Sequence, residues 1–139
     1  MKSEVLRVEG LVRILESEIP VTLIKDASMS VNRGEIVAIV GPSGSGKSSL
    51  LYMLGLLDQP TSGKIFIEGQ DVSAYNEDEI DNIRLTKIGY VFQFHFLLPE
   101  FTALENVMLP MRKLNRLSRK ECEEKTRKSE REPLPFSRI

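Results

Sequence analysis

The apolar positions of this chain change rhythm several times, and each change marks an element. Residues 5–8 begin an extended segment. Residues 21–31 are rich in alternating and β-branched side chains and end at Asn32, Arg33 and Gly34, a turn signal. Ile36, Val37, Ala38, Ile39 and Val40 form a continuous apolar run. Its shortness and β-branching predict a strand buried on both faces. From Lys47 the pattern becomes Ser-Ser-Leu-Leu-Tyr-Met-Leu-Gly-Leu-Leu, which predicts a buried helix ending before a loop at residues 59–63. Residues 64–68 alternate as a strand, and residues 69–71 read as a turn.

Helix starts dominate the remainder. Asn76 followed by Glu79 makes a capping box, with Ile80, Ile83 and Leu85 on the apolar side of the helix it opens. Residues 87–92 read as another strand. Thr102 and Glu105 form a second box, opening a short helix that carries Val107 and Met108 and stops around Pro110. Ser118 and Glu121 form a third. Its helix, residues 119–132, is polar nearly all round, so it is exposed or not stable alone. Residues 133–139 show no period, and no internal repeat is evident.

Composition narrows the class. At 139 residues, 41% hydrophobic and 28% charged, the chain suits one globular domain. A formal net charge of −1 offers no strong field toward nucleic acid, so no nucleic-acid partner is expected. The single cysteine, Cys122, rules out an internal disulfide framework and fits a reducing cytoplasm. Flanked by Glu121 and Glu123, it reads as structurally neutral. The longest apolar stretches, 36–40 and 50–57 (broken by Gly55), fall short of a membrane span, and the first ten residues lack a signal-peptide core. The expectation is a protein that can dock onto a membrane component without being embedded itself.

The sharpest feature is Gly41, Pro42, Ser43, Gly44, Ser45, Gly46, Lys47, Ser48, followed by Ser49. It satisfies G-x-x-x-x-G-K-[ST] at every position. Glycines let successive amides point inward at phosphate oxygens. The helix starting at Lys47 adds its dipole and unpaired amides. Lys47 brings a compact positive charge to the β- and γ-phosphates, and Ser48 offers magnesium a hydroxyl oxygen. A flexible Gly/Ser linker would not sit between an apolar strand and an apolar helix. The expected ligand is ATP with Mg2+.

Residues 90–107 run Tyr-Val-Phe-Gln-Phe-His-Phe-Leu-Leu-Pro-Glu-Phe-Thr-Ala-Leu-Glu-Asn-Val. Together with the phosphate loop and Leu-Gly-Leu-Leu-Asp-Gln-Pro-Thr-Ser-Gly at 54–63, this stretch resembles the ATP-binding subunits of ABC transporters, over roughly residues 4–125. Phe92, Gln93, Phe94 and His95, followed by Leu97, Leu98 and Pro99, look most like the lipoprotein-releasing subunits, with macrolide-exporter and cell-division ATPases as close kin. The fold implied is α/β: the N-terminal part of a phosphate-loop NTPase domain of the ABC ATPase kind, with an antiparallel β subdomain and without the C-terminal half. Residues 1–127 would form that partial nucleotide-binding domain and residues 128–139 a tail outside the family pattern.

The resemblance also implies roles. Gln93 would begin a loop reaching magnesium and the attacking water; otherwise it is a polar residue ending a strand. His95 is read as a surface contact in the coupling loop rather than an acid–base group. Phe94, Phe96, Leu97, Leu98 and Phe101 form either a satellite core or a groove for a helix of a membrane permease subunit. Full-length domains of this family form homodimers on the cytoplasmic, inner face of the inner membrane.

The chain departs from the family in two respects. The region matching its adenine-stacking aromatic, residues 11–15, is aliphatic, so adenine would rest on aliphatic surface with little preference over guanine. No signature motif, aspartate-ending strand, adjacent catalytic glutamate or switch histidine follows Glu105, and residues 128–139 look truncated or frame-shifted. The expectations are a missing general base for water and an uncovered edge and face on the 36–40 run. The competing functional readings are an ATPase subunit and a non-catalytic nucleotide-binding fragment or remnant of one.

Overall fold

The structure is a computed structural model that describes residues 3–94 and 96–129. His95 and most of the expected tail, residues 130–139, lie outside the described residues. The chain divides into two compact units, Met1–Ile88 and Gly89–Ile139.

The first unit is built on a four-stranded antiparallel sheet in the order β2-β1-β3-β4. The strands are β1 (Glu4–Leu15), β2 (Val21–Asn32), β3 (Ser62–Ile67) and β4 (Gln70–Asp71). The last turns the expected 69–71 turn into a tight hairpin. Helix α1 (Lys47–Leu54) leads into the loop before β3, and α2 (Glu77–Lys87) follows β4. Val8, Leu11, Met53, Leu56, Ile65 and Val72 form the buried core. Val8 and Leu11 are three apart, which breaks the two-residue alternation of a strand. The cause lies between them: the register with β2 shifts at this point, and Gly10 adopts a left-handed φ of 57°, so both side chains reach the same core.

Two further strands expected from the sequence do not form. Residues 36–40 make no strand pairing among the described residues, and Ile36 and Val40 are 92% and 85% exposed. The expected strand at 87–92 loses Lys87 to α2, and residues 88–92 form no strand, with Val91 exposed. The physical reason is common to both. A short, wholly apolar strand is stable only between neighbours that cover both faces, and the described strands pair only as antiparallel β1–β4. Helix α1 is likewise less buried than its sequence predicts. Met53 is enclosed, whereas Leu51 and Tyr52 are exposed.

In the second unit, α3 (Ala103–Leu114) packs against α4 (Arg119–Ser129). Among the described residues, Met108, Cys122 and Thr126 are its buried side chains. Helix α3 does not stop at Pro110. It continues to Asn115, whose left-handed φ of 49° ends it. Packing around Met108 and against α4 holds the turn that proline weakens. Nor is α4 polar all round: Cys122 and Thr126, one turn apart, give it a narrow buried stripe.

The capping boxes form as the sequence predicts. Asn76 Oδ1 accepts from the Glu79 amide at 3.0 Å, and Thr102 Oγ1 from the Glu105 amide at 3.2 Å. Glu121 Oε2 accepts from the Ser118 amide at 2.8 Å. Hydrogen bonds from the Thr102 backbone and side chain hold the Glu105 carboxyl below the ordinary glutamate value, and those from the Ser118 side chain and backbone do the same for Glu121. A carboxyl depressed in the folded state contributes stability above its unfolded value and loses it as pH falls through the lower folded value. The α3–α4 unit should therefore lose helicity on acidification below about pH 4. A Glu105→Gln/Glu121→Gln double variant should show a flatter acid limb in circular dichroism; an unchanged limb would remove the caps as its cause.

Candidate phosphate-binding site

The glycine-rich loop leaves the 36–40 run at Gly41 and ends in α1. Gly46 is the N-cap residue, with a left-handed φ of 84° and no side-chain cap. The amides of the first turn of α1 thus have no capping side chain, and that turn carries no acidic residue. Helices α2 and α3 differ on both counts, since each fills its N-terminus with a capping box and acidic groups. An uncapped, uncontested helix N-terminus attracts an anion through its amides and its dipole.

The loop is held in shape from inside and behind. The Ser45 amide donates to the Pro42 carbonyl at 3.3 Å, and the Leu50 amide to Gly46 O at 2.8 Å. Lys47 Nζ donates to the Pro42 carbonyl at 2.7 Å, so the ammonium folds back across the loop. Behind it stands β2: a side chain at Gly46 would come within 2.6 Å of the Leu23 carbonyl oxygen and 2.9 Å of Ile24 Cδ1. Gly41 through Ser45, and Ser48, are exposed, while Gly46, Lys47 and Ser49 are half-buried. Gly41, Pro42, Ser43, Gly44, Ser45 and Gly46 thus form the loop, and Lys47, Ser48 and Ser49 open α1.

Gln93 is exposed in the second unit and ends no strand. The aromatic residues around it are partly organised. Tyr90 stacks on Phe92 at 5.7 Å between ring centroids, and Phe92 meets Phe96 edge-on at 4.9 Å. Phe94 and Phe96 remain more than two-thirds exposed, at 68% and 69%. This excludes a closed satellite core for those two rings. The loop that follows is shaped by Asn106, which sequence reasoning did not single out. Its amide nitrogen donates to the carbonyls of Leu98, Phe101 and Thr102 at 3.0–3.1 Å, and its oxygen accepts from the Leu98 amide at 2.8 Å. An asparagine four residues after a capping threonine was the one available signal.

An open cleft of about 790 Å³ lies elsewhere in the first unit, between the loop after α1, β3 and α2. None of Gly41 to Ser49 lines it, and the exposed loop surface is the chemically competent feature. Among the described residues no three His, Cys, Asp or Glu side chains gather as a metal cage. Magnesium carried on phosphate oxygens needs few protein ligands, and the exposed Ser48 hydroxyl fits that role.

A glycine-rich loop feeding an uncapped helix, set against an antiparallel sheet, defines the class: a phosphate-loop α/β fold of the ATP-binding-cassette type. A family model described as ABC transporter matches residues 24–134, and the chain belongs to that family. It is 50% identical over 127 residues to the lipoprotein-releasing system ATP-binding protein LolD 1 of Chlorobium chlorochromatii, covering 90% of this chain and 52% of that protein. It is equally identical over 123 residues to LolD of Aquifex aeolicus, covering 88% and 53%. Among solved structures, the dimeric post-hydrolysis state of the ATP-binding cassette MJ0796, bound to ADP and Pi, superposes with a TM-score of 0.81 at 36% identity. That match covers 88% of this chain and 54% of the other. The chain thus spans about half the length of the relatives it matches.

The glycines differ in a testable way. Gly44 has a φ of 77° with open space around it, whereas Gly46 combines a positive φ with contact against β2. Gly44→Ala should cost only the left-handed penalty of about 1–2 kcal/mol. Gly46→Ala should cost more and abolish phosphate affinity, because β2 or the loop must move. Chemical denaturation with phosphate-ligand titration checks both; equal behaviour would place the loop away from β2.

Proposed function

We propose that this chain carries the nucleotide-binding part of the ATP-hydrolysing subunit of an ABC transporter that releases lipoproteins from the inner membrane. The observation that carries this reading is the complete loop from Gly41 to Ser48 running into the uncapped N-terminus of α1. The similarity to LolD proteins over nine-tenths of the chain supports the choice of transporter.

In this reading the loop amides and the α1 dipole hold the phosphates of ATP. Lys47 exchanges the Pro42 carbonyl for phosphate oxygen. Ser48 would supply a hydroxyl to magnesium, and Gln93 would offer an amide oxygen to magnesium and the attacking water. Magnesium, when bound, neutralises phosphate charge. The exposed Phe94, Phe96, Leu97, Leu98 and Phe101, shaped by Asn106, supply an apolar surface for a membrane permease subunit. No helix among the described residues is long and apolar enough to cross a membrane. The protein would be peripheral, cytoplasmic, on the inner face of the inner membrane, and homodimeric when the domain is full length.

A second reading, a non-catalytic nucleotide-binding fragment or remnant of such a subunit, is supported by the bare apolar run at 36–40. The two readings share the binding site and differ in turnover.

MgATP should bind the purified chain, and Lys47→Ala should weaken it by at least about tenfold, the loss of one charge-assisted contact. Calorimetric titration checks this, and equal affinities would sink the assignment.

The 139-residue polypeptide alone should hydrolyse ATP only at background. In this reading Lys47, Ser48 and Gln93 would serve only one side of the γ-phosphate, and phosphoryl transfer needs groups that act together on both. Phosphate release near 1 s⁻¹, about the low end for such enzymes, that vanishes in Lys47→Ala would overturn the second reading.

A further inference from the structure

Beyond Val12, strand β1 leaves β3: the last pair in that ladder is Val12 with Ser62. The distal arm of the β1–β2 hairpin then depends on other contacts. Its own ladder is irregular on both sides of Arg13, with register shifts between Leu11 and Arg13 and between Arg13 and Ile14. The loop after α1 replaces β3. The Thr61 amide donates to the Val12 carbonyl at 2.8 Å, and the Ile14 amide to Thr61 Oγ1 at 2.9 Å. Arg13 grips Asp58 with both Nε and Nη2, each at 2.8 Å, across 45 residues of sequence. Their side chains are only 25% and 31% exposed, which limits solvent screening.

The partner strand touches the other end of the same helix. Ile24, paired with Arg13 across the hairpin, lies with Leu23 against Gly46. Helix α1 is thus bracketed by one arm, at the phosphate loop through β2 and at its trailing loop through Arg13. Farther out, Leu15 pairs with Val21, and both are exposed, at 41% and 49%. That aliphatic pair stands on the arm that contacts the phosphate loop.

We infer that Arg13 and Asp58 are a positioning pair, fixing the arm against α1 so that it meets the nucleoside end of a ligand whose phosphates sit in the loop. This rests on the phosphate-site reading above. Neither residue touches phosphate. Their bidentate fork sets an orientation that the irregular ladder leaves loose, and a fork has the geometry that a single-point contact lacks.

Calorimetry on the full chain with MgATP and with magnesium tripolyphosphate, which lacks a nucleoside, separates the possibilities. Arg13→Gln and Asp58→Asn should each weaken MgATP by about 5- to 10-fold while leaving tripolyphosphate within about 2-fold. Arg13→Lys should fall between, since it keeps the charge and loses the fork. The reversed pair, Arg13→Asp with Asp58→Arg, should recover most of the loss. Equal losses for both ligands, no loss for either, or a reversed pair no better than the single variants would overturn the positioning role. Loss of folding in both single variants, read by circular dichroism, would overturn it too, since the bridge would then serve the fold itself. If the unsubstituted chain binds neither ligand, the phosphate-site reading falls and this inference with it. If it binds both and only the variants disobey, this inference alone falls.

Discussion

The left-handed Gly46, pressed against the Leu23 carbonyl, is the contact on which the first unit turns. It lets α1 begin with no side chain over its first amides, and it sets that open N-terminus directly against the antiparallel sheet. A β-carbon there would force the loop away from β2, and the dipole of α1 would no longer be anchored where the loop presents it. Met53, enclosed in the core about two helical turns farther on, holds the other side of the same helix. Phosphate chemistry and core packing therefore share an eight-residue element.

Apart from the β1–β3 ladder, which joins strands tens of residues apart, the rest of the first unit follows from which contacts are local. The β1–β2 hairpin and the β3–β4 turn close between neighbours in sequence, so their ladders form. The 36–40 and 88–92 runs are as apolar as any strand in the chain, yet form no strand. Buried parallel strands require crossover partners distant in sequence, and hydrophobicity cannot substitute for the missing hydrogen-bonded edge. The exposure of Ile36, Val40 and Val91 is the direct consequence.

In the second unit local chemistry again comes first. Thr102 and Ser118 cap their helices in reciprocal boxes, and Asn106 gathers three carbonyls of the preceding loop. That loop turns its backbone inward to satisfy itself, and so leaves large apolar side chains outward. Its exposed phenylalanines are a product of backbone hydrogen bonding as much as of hydrophobic pattern. A polar-looking helix such as α4 still finds a place, because two small side chains one turn apart suffice to bury a seam.

The sequence by itself determined the glycine-rich loop into α1, the three capped helix starts and the strands that pair with near neighbours, because each depends on residues within a few positions of one another. It misjudged Pro110 as a stop, α1 as a buried helix, and 36–40 and 87–92 as strands, because each of those depends on what lies across the fold. The Arg13–Asp58 fork, the Asn106 hub and the in-phase burial of Val8 and Leu11 were likewise beyond reach of pattern. Local preference is written in spacing and residue type. Which face is covered, and which charge meets which, is decided only when segments tens of residues apart are brought into contact.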